Sequence, residues 1–396
     1  MIRLKSKYCK DCGPLPVNHY EKYIDSFIEY CLPKLRNKFV YTFFAPIRVL
    51  FKMVGILRLE NDFSYDDISL RTTVFIDEAR KQGITCAATR TPFGYTNEFV
   101  MRIGKRSVWF EGLPCTELSS SKYSSLVDDK AAVKKILAQQ NIITPEGKNF
   151  WFFQKKQAFR YGLSLGFPLM VKPRSGSISH HITTHITSEQ QLEDGIERAL
   201  RYEPCVIVEQ YLPNMHVFRA TVIDGDFVAC VERIPAHVVG DGINTVQELV
   251  AIKNADSRRK KSPHKNTTHY HIILDATSDE LLKEQGMRYS SVPSAGEIVV
   301  LQKKVILDLG ADIIELTHSL HPDNIELFKN VANLFGMTIV GIDFIGESVA
   351  RSWKDQVCAI IELNSLPYID MHHYPYRGQP QNIAGAILKM ALKYYA

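Results

Sequence analysis

Three oxygen-bearing side chains stand in two apolar runs near the C-terminus. Asp343 follows TIVGI, and Glu362 and Asn364 are two apart in IIELN, so on a strand both project from one face. Magnesium prefers octahedral oxygen coordination and completes it with phosphates and water, so converging carboxylate and amide oxygens suit it. The competing reading is a helix cap for Asp343 and a solvent-facing Glu/Asn pair; two acids in runs this apolar favour the metal. Lys172 ends the apolar FPLMVKP just before RSGS, where backbone N–H groups of a loop and an ammonium together suit a phosphate. Lys130 opens its own helix and is a second such lysine. Either lysine alone reads as surface, but beside a three-oxygen metal set the pair points to nucleotide phosphates.

These residues need elements to hold them. LVDDKAAVKKILAQQNIITPEG reads as a helix over about 128–140 that exits into a strand near Pro145. A further helix, GFPLMVKPRSG as strand and loop, a helix near 188–201 and PCVIVEQYL as strand follow. This order is an α+β lobe able to fold over a nucleotide. FRATVIDGDFVACVERI is two strands joined by Asp224 and Gly225, an Asp-Gly hairpin signal. MTIVGIDFIG and VCAIIELNSLP are two more buried strands with acids at their ends. Upstream, residues 1–60 read as helical, Ser64 or Asp66 caps a helix ending near Gly83, ITCAA is a strand, and FVMRIGKRSVWFEG turns at Gly104 and Lys105. Arg90, Arg102 and Lys105 read as surface charges or as contacts for an acidic substrate.

A chain of 396 residues implies two or three domains. The net charge of +5 is too mild an excess to imply nucleic acid, and the RRKK run at 258–261 reads as a solvated loop. Apart from the CxxC of Cys9 and Cys12, the eight cysteines are scattered through apolar segments, which suits reduced core thiols in the cytoplasm. That one CxxC supplies two of the four ligands a structural zinc needs. No apolar run follows the basic start, so no signal peptide is read. Residues 39–59 are apolar but interrupted by Pro46, Arg48, Lys52 and Arg58. They read as a buried or lobe-packing helix rather than a membrane span, with interfacial attachment as the alternative.

Over about residues 127–393 the order of DDKAAVKKILAQQNIITP, FPLMVKPRSG, VIVEQYLPN, RIPAHVVGDGINTVQELV with NADSRR, GIDFIG and IIELNSLPYIDMHHYPYRG resembles the ATP-grasp superfamily. The likeness is greatest to the ATP-grasp domain of cyanophycin synthetases, with glutathione-synthetase-like and D-alanine:D-alanine-ligase-like enzymes sharing most blocks. It implies an α+β / α/β chain: an ATP-grasp fold, two α+β lobes gripping ATP, preceded by an α/β N-terminal domain. The domains expected are 1–120, with substrate contacts; 121–215, the small lobe; and 216–396, the large lobe with the metal site.

The resemblance further implies that Lys130 and Lys172 contact ATP phosphates, that Gly176 lies in the phosphate loop, and that Glu209 begins the hinge strand whose backbone around Tyr211 and Leu212 reads adenine. Asp343, Glu362 and Asn364 would hold Mg2+, or Mn2+ in its place. Arg233 would act with Lys172 near the transferring phosphate, and Asp241, Asn244 and His372 would lie where substrate approaches. The loop Arg174 to His181 would be a lid. Three differences stand out: RSGSISHH has one glycine where relatives have several, His216 stands where they carry an acid for the ribose, and KKVILDLGADIIELTHSLHP replaces the branch's loop with paired glycines, altering substrate handling.

The activity implied is ATP- and magnesium-dependent ligation of a carboxylate to an amine, an amino acid or peptide, through an acyl phosphate. A homodimer and cytoplasmic location are also implied, without nucleic acid or membrane contact. A small-molecule kinase of the same fold and a non-catalytic nucleotide-binding regulatory module remain as alternatives. No GxxxxGK[ST] loop is present.

Overall fold

The computed structural model describes residues 19, 23, 24, 26, 27, 50, 51, 53–64, 67–111, 126–174, 181–262, 264 and 266–395. The chain divides into two compact units. One comprises Met1–Val54, Lys122–Met215 and Val357–Asn364, and the other Gly55–Ser121, His216–Gln356 and Ser365–Ala396. The expected domain 1–120 therefore contributes to both.

In the second unit β1 (Arg58–Glu60), β2 (Cys86–Thr91), β3 (Gly94–Ile103) and β4 (Arg106–Glu111) form an antiparallel sheet in that order, with α1 (Leu70–Lys81) packed on it. The hairpin between β3 and β4 turns at Gly104 and Lys105 as read from the sequence. Two readings are corrected. The helix starts after Ser69, whose backbone is extended, rather than at Ser64 or Asp66. The apolar run 39–59 does not continue as a helix to its end: residues 54–57 turn, Arg58 opens β1, and Met53 and Val54 are exposed. Most of the run, and Cys9, Cys12, Cys31 and Cys115, lie outside the described residues. Among the described residues no helix is long and apolar enough to cross a membrane.

The first unit holds α2 (Lys130–Gln139), β5 (Gly147–Trp151), α3 (Lys155–Leu165), β6 (Leu169–Pro173), β7 (Thr183–Ile186), α4 (Glu189–Leu200) and β8 (Cys205–Gln210). Its sheet runs β5-β8-β6-β7, antiparallel throughout. Asp129 caps α2 by accepting from the N–H groups of Ala131 and Ala132, and Ser188 caps α4 through that of Gln191. Leu192, Ile196 and Ala199 of α4 and Ala158 of α3 meet Leu169, Val171, Val206 and Val208 of the sheet in a buried core. Burial of each large aliphatic side chain contributes roughly 1.5–3 kcal/mol.

The second unit continues with β9 (His216–Ile223), β10 (Phe227–Ile234), β11 (His237–Val239), α5 (Val246–Asn254), α6 (Ala276–Glu284), β12 (Ile298–Val300), β13 (Asp312–Glu315), α7 (Pro322–Phe335) and β14 (Ile339–Gly346). Strands β13, β10, β9 and β14 lie side by side, antiparallel. The β9–β10 turn has positive φ at Asp224 (53°) and Gly225 (66°), as the Asp-Gly signal requires. Strand β15 (Cys358–Asn364) belongs to the first unit, where it packs on α2. A helical turn, Asp370–His373, and α8 (Ile383–Tyr395) close the chain. Ile387 and Leu388 of α8 join Phe75, Phe99 and Phe110 in one core with Ile223 and Ile339 of the sheet. The segment KKVILDLGADIIE, read from sequence as an altered loop, supplies β13.

Candidate functional site

In the first unit a buried carboxylate gathers the lysines. Glu209 is 1% exposed. Lys172 Nζ lies 2.5 Å from its Oε1 and Lys134 Nζ 2.6 Å from its Oε2. Oε2 has no partner in strict hydrogen-bond geometry, but the 2.6 Å separation makes the contact an ion pair. Burial pushes the Glu209 carboxyl up, and the charges of Lys172 and Lys134 outweigh this and hold it below its ordinary range. Lys134 also donates to the Pro145 carbonyl. Its own pKa is lowered, by burial first and by the neighbouring Lys172 charge, against the pull of Glu209.

Each partner is set by its element. Lys172 is the fourth residue of β6 and Glu209 the fifth of β8, in adjacent antiparallel strands with Met170 opposite Glu209. Glu209 is thus next to last in its strand rather than at its beginning. Lys130 and Lys134 are one turn apart on α2, so they share a face. Gly147 pairs with Glu209 across β5 and β8, and a Cβ there would lie 2.4 Å from Glu209 Cβ. Only glycine lets the β5 backbone pass so close.

Lys130 Nζ lies 3.4 Å from Glu362 Oε2, so the structure joins a phosphate-lysine candidate directly to a metal-ligand candidate. Asn364, two residues on, has a buried Nδ2 without a partner among the described residues. Arg174 grips the cap residue Asp129, with Nε to Oδ1 at 2.9 Å and Nη2 to Oδ2 at 2.5 Å. At the other end of the expected lid, His181 is buried, with Nδ1 2.8 Å from the Arg198 carbonyl and its ring stacked on Tyr202. Gly176 and His180 lie outside the described residues. The Tyr211 N–H donates to the Pro168 carbonyl at 3.0 Å.

In the second unit Asp343 sits mid-strand in β14, not at its end, and is 3% exposed. Register places it opposite Arg219, which binds Oδ1, while Arg233 Nη2 is 3.0 Å from Oδ2. A helix-cap role is thereby excluded. Arg219 escaped the sequence reading; the signal available was an arginine inside an otherwise apolar strand.

The three substrate candidates are placed differently. Asp241 is exposed, and its Oδ1 accepts from the N–H groups of Ile243 and Asn244 while its Oδ2 accepts from Asn244 Nδ2. These bonds shape the turn into α5, which Thr245 and Glu248 cap reciprocally. His372 is fully buried: Nε2 is 2.9 Å from Thr221 Oγ1 and Nδ1 2.9 Å from Glu315 Oε2. Both ring nitrogens are taken, so it has no atom to offer a ligand in this structure. His216 is exposed at the start of β9 beside Glu232, 2.5 Å away, an acid the sequence alone did not connect with it. Within RRKK, Arg259 is buried against Asp312 instead of solvated.

Among the described residues no group of three or more His, Cys, Asp or Glu is clustered as a metal would require. The donor chemistry nevertheless fits a hard cation: Glu362 and Asn364, on either side of buried Leu363, carry side-chain oxygens on one face of β15.

Residues 137–252 match the family described as D-ala D-ala ligase C-terminus. The cyanophycin synthetase of Trichormus variabilis (strain ATCC 29413 / PCC 7937) is 35% identical over 266 residues, 67% of this chain and 29% of that protein. The glutathione biosynthesis bifunctional protein GshAB of Clostridium perfringens (strain 13 / Type A) is 28% identical over 333 residues, 83% of this chain and 42% of that protein. The chain therefore spans less than half the length of either relative. A bifunctional glutathione synthetase from Pasteurella multocida superposes with a TM-score of 0.63 at 24% identity, over 83% of this chain and 44% of that one, which shows a shared fold. With the α+β organisation described above, these matches place the chain in the ATP-grasp superfamily.

Proposed function

We propose that the protein is an ATP- and magnesium-dependent carboxylate–amine ligase. The observation that carries the reading is the buried pair of lysine sites, Lys172 on Glu209 and Lys130 on Glu362, standing where the superfamily's sequence blocks fall. A substrate carboxylate oxygen attacks the γ-phosphorus of ATP, the bond to ADP breaks, and an acyl phosphate forms. An amine nitrogen then attacks the acyl carbon, inorganic phosphate leaves with the bonding pair, and the amine loses a proton. Lys130 and Lys172 bind the phosphates, Tyr211 and Leu212 offer backbone groups to adenine, and Arg233 meets the negative charge that grows on the transferring phosphoryl group. Glu362 and Asn364 supply oxygen ligands for magnesium, and Asp343 is proposed as a further one. The bound ion would neutralise phosphate charge and orient the γ-phosphoryl group.

The relatives' names, which include glutathione biosynthesis and cyanophycin synthetase, support an amino acid or peptide as substrate. A cytoplasmic location and a homodimer belong to the same proposal. The test is product analysis: purified protein with ATP, magnesium and a panel of amino acids and peptides should release ADP and inorganic phosphate in equal amounts, with a new amide detected by mass spectrometry. ADP without phosphate, and a phosphorylated product, would replace the ligase with a kinase. Nucleotide binding without any ADP would leave only a regulatory module.

A further inference from the structure

We propose that Lys134 is a positioning residue of the nucleotide site: it keeps the buried Glu209 carboxylate neutralised when Lys172 turns from it to an ATP phosphate. The inference rests on the reading that Lys172 is a phosphate ligand.

The geometry is one anion held by two cations. Lys172 takes Oε1 and Lys134 takes Oε2, at 2.5 and 2.6 Å, and all three side chains are largely withdrawn from water, at 5%, 14% and 1% exposure for Lys172, Lys134 and Glu209. A single carboxylate needs a single counter-ion, so the cluster carries one surplus positive charge. The two lysines are not equivalent. Lys134 is tied a second time, to the Pro145 carbonyl, and although it lies in the block DDKAAVKKILAQQNIITP it is not one of the residues that the resemblance assigns to the phosphates. Lys172 is next to the last residue of β6, ahead of the loop read as the phosphate loop.

A phosphate bound by Lys172 would draw the ammonium away from Glu209. Without a second cation this would strand an ionised carboxylate in the interior, which is strongly unfavourable. With Lys134 in place the carboxylate stays paired, and Lys172 is released at little cost. The pKa of Lys134 is lowered by burial first and then by the Lys172 charge, against the pull of Glu209 and Glu146. Gly147 packs its backbone against Glu209 and leaves no room for a substituted residue beside the carboxylate.

Isothermal titration with MgATP and with adenosine separates the phosphate contribution from that of the nucleoside. Lys134→Met should weaken MgATP binding by about tenfold or more and leave adenosine binding unchanged, since only the triphosphate asks Lys172 to move. Lys134→Arg should restore most of the loss. In a Glu209→Gln background, where no buried charge needs pairing, adding Lys134→Met should have no further effect. Parallel loss of MgATP and adenosine, an unchanged MgATP affinity, or an equal loss in the Glu209→Gln background would each overturn the inference. If Lys172→Met itself leaves MgATP affinity intact, the phosphate reading of Lys172 fails first, and this inference with it.

Discussion

Asp370 offers a sharp test of the electrostatics around the last loop. It opens the helical turn after β15, is 7% exposed, and its Oδ1 has no hydrogen-bond partner. Burial pushes its carboxyl up to about 6 from an ordinary 3.8, although its own backbone N–H and the Arg71 charge pull the other way. At 1.36 kcal/mol per unit, that shift corresponds to roughly 3 kcal/mol between the protonated and ionised forms. The sign follows from proton binding. Between the unfolded value near 4 and the folded value near 6, the folded protein binds the proton and the unfolded chain does not. The stability that Asp370 contributes is therefore greatest below about pH 4 and falls as pH rises through 6. Asp370→Asn, which cannot ionise, should match the parent at pH 4 and exceed its stability by up to about 3 kcal/mol at pH 7.5. Urea unfolding followed by circular dichroism at pH 4, 5, 6 and 7.5 reads the difference directly. A gap between the two proteins that is constant across this range, or a variant weaker at pH 7.5 than at pH 4, would refute the assignment.

His269 works in the opposite direction: burial and the Arg259 charge lower it to about 4, so stability should decline as pH falls from about 6.5 toward 4, and His269→Phe should flatten that acid limb in thermal melts. Gly147→Ala would bring a methyl group to 2.4 Å from Glu209 Cβ and 2.7 Å from the Val208 carbonyl; a loss of about 1–3 kcal/mol in urea melts is expected, with weakened MgATP binding in titration calorimetry. Thr245→Ala removes one half of the capping box of α5 and should lower stability by about 1 kcal/mol by the same urea assay, leaving MgATP affinity unchanged.

What could be read from the sequence was what neighbouring residues decide. Asp224 and Gly225 carry their turn in their own φ preferences, and the β3–β4 hairpin at Gly104 did not depend on any distant residue. Lys172 at the end of an apolar run, a surface lysine when read alone, stood out beside a second lysine and a three-oxygen metal set. The partner was hidden. Glu209 reaches Lys172 only because β6 and β8 are neighbours, and Lys134 only because α2 lies against the same carboxylate; neither adjacency leaves a periodic trace. Asp343 shows the same limit more severely. Its position in TIVGID favoured a metal ligand over a cap but named no partner, and the partners depended on register, which sets Arg219 opposite it and brings Arg233 from the next strand but one. A rule does follow from these cases. An acid inside an apolar strand cannot be buried alone, so the sequence already demanded cations for Glu209 and Asp343 without saying which. Arginines and lysines inside apolar strands, or one helical turn from a named ligand, were the short list: Arg219, Arg233, Lys134 and Lys172 all satisfy it, and the structure pairs each of them with one of those two acids. Function-bearing charge in this chain is thus legible as a requirement in the sequence and as an assignment only in the fold.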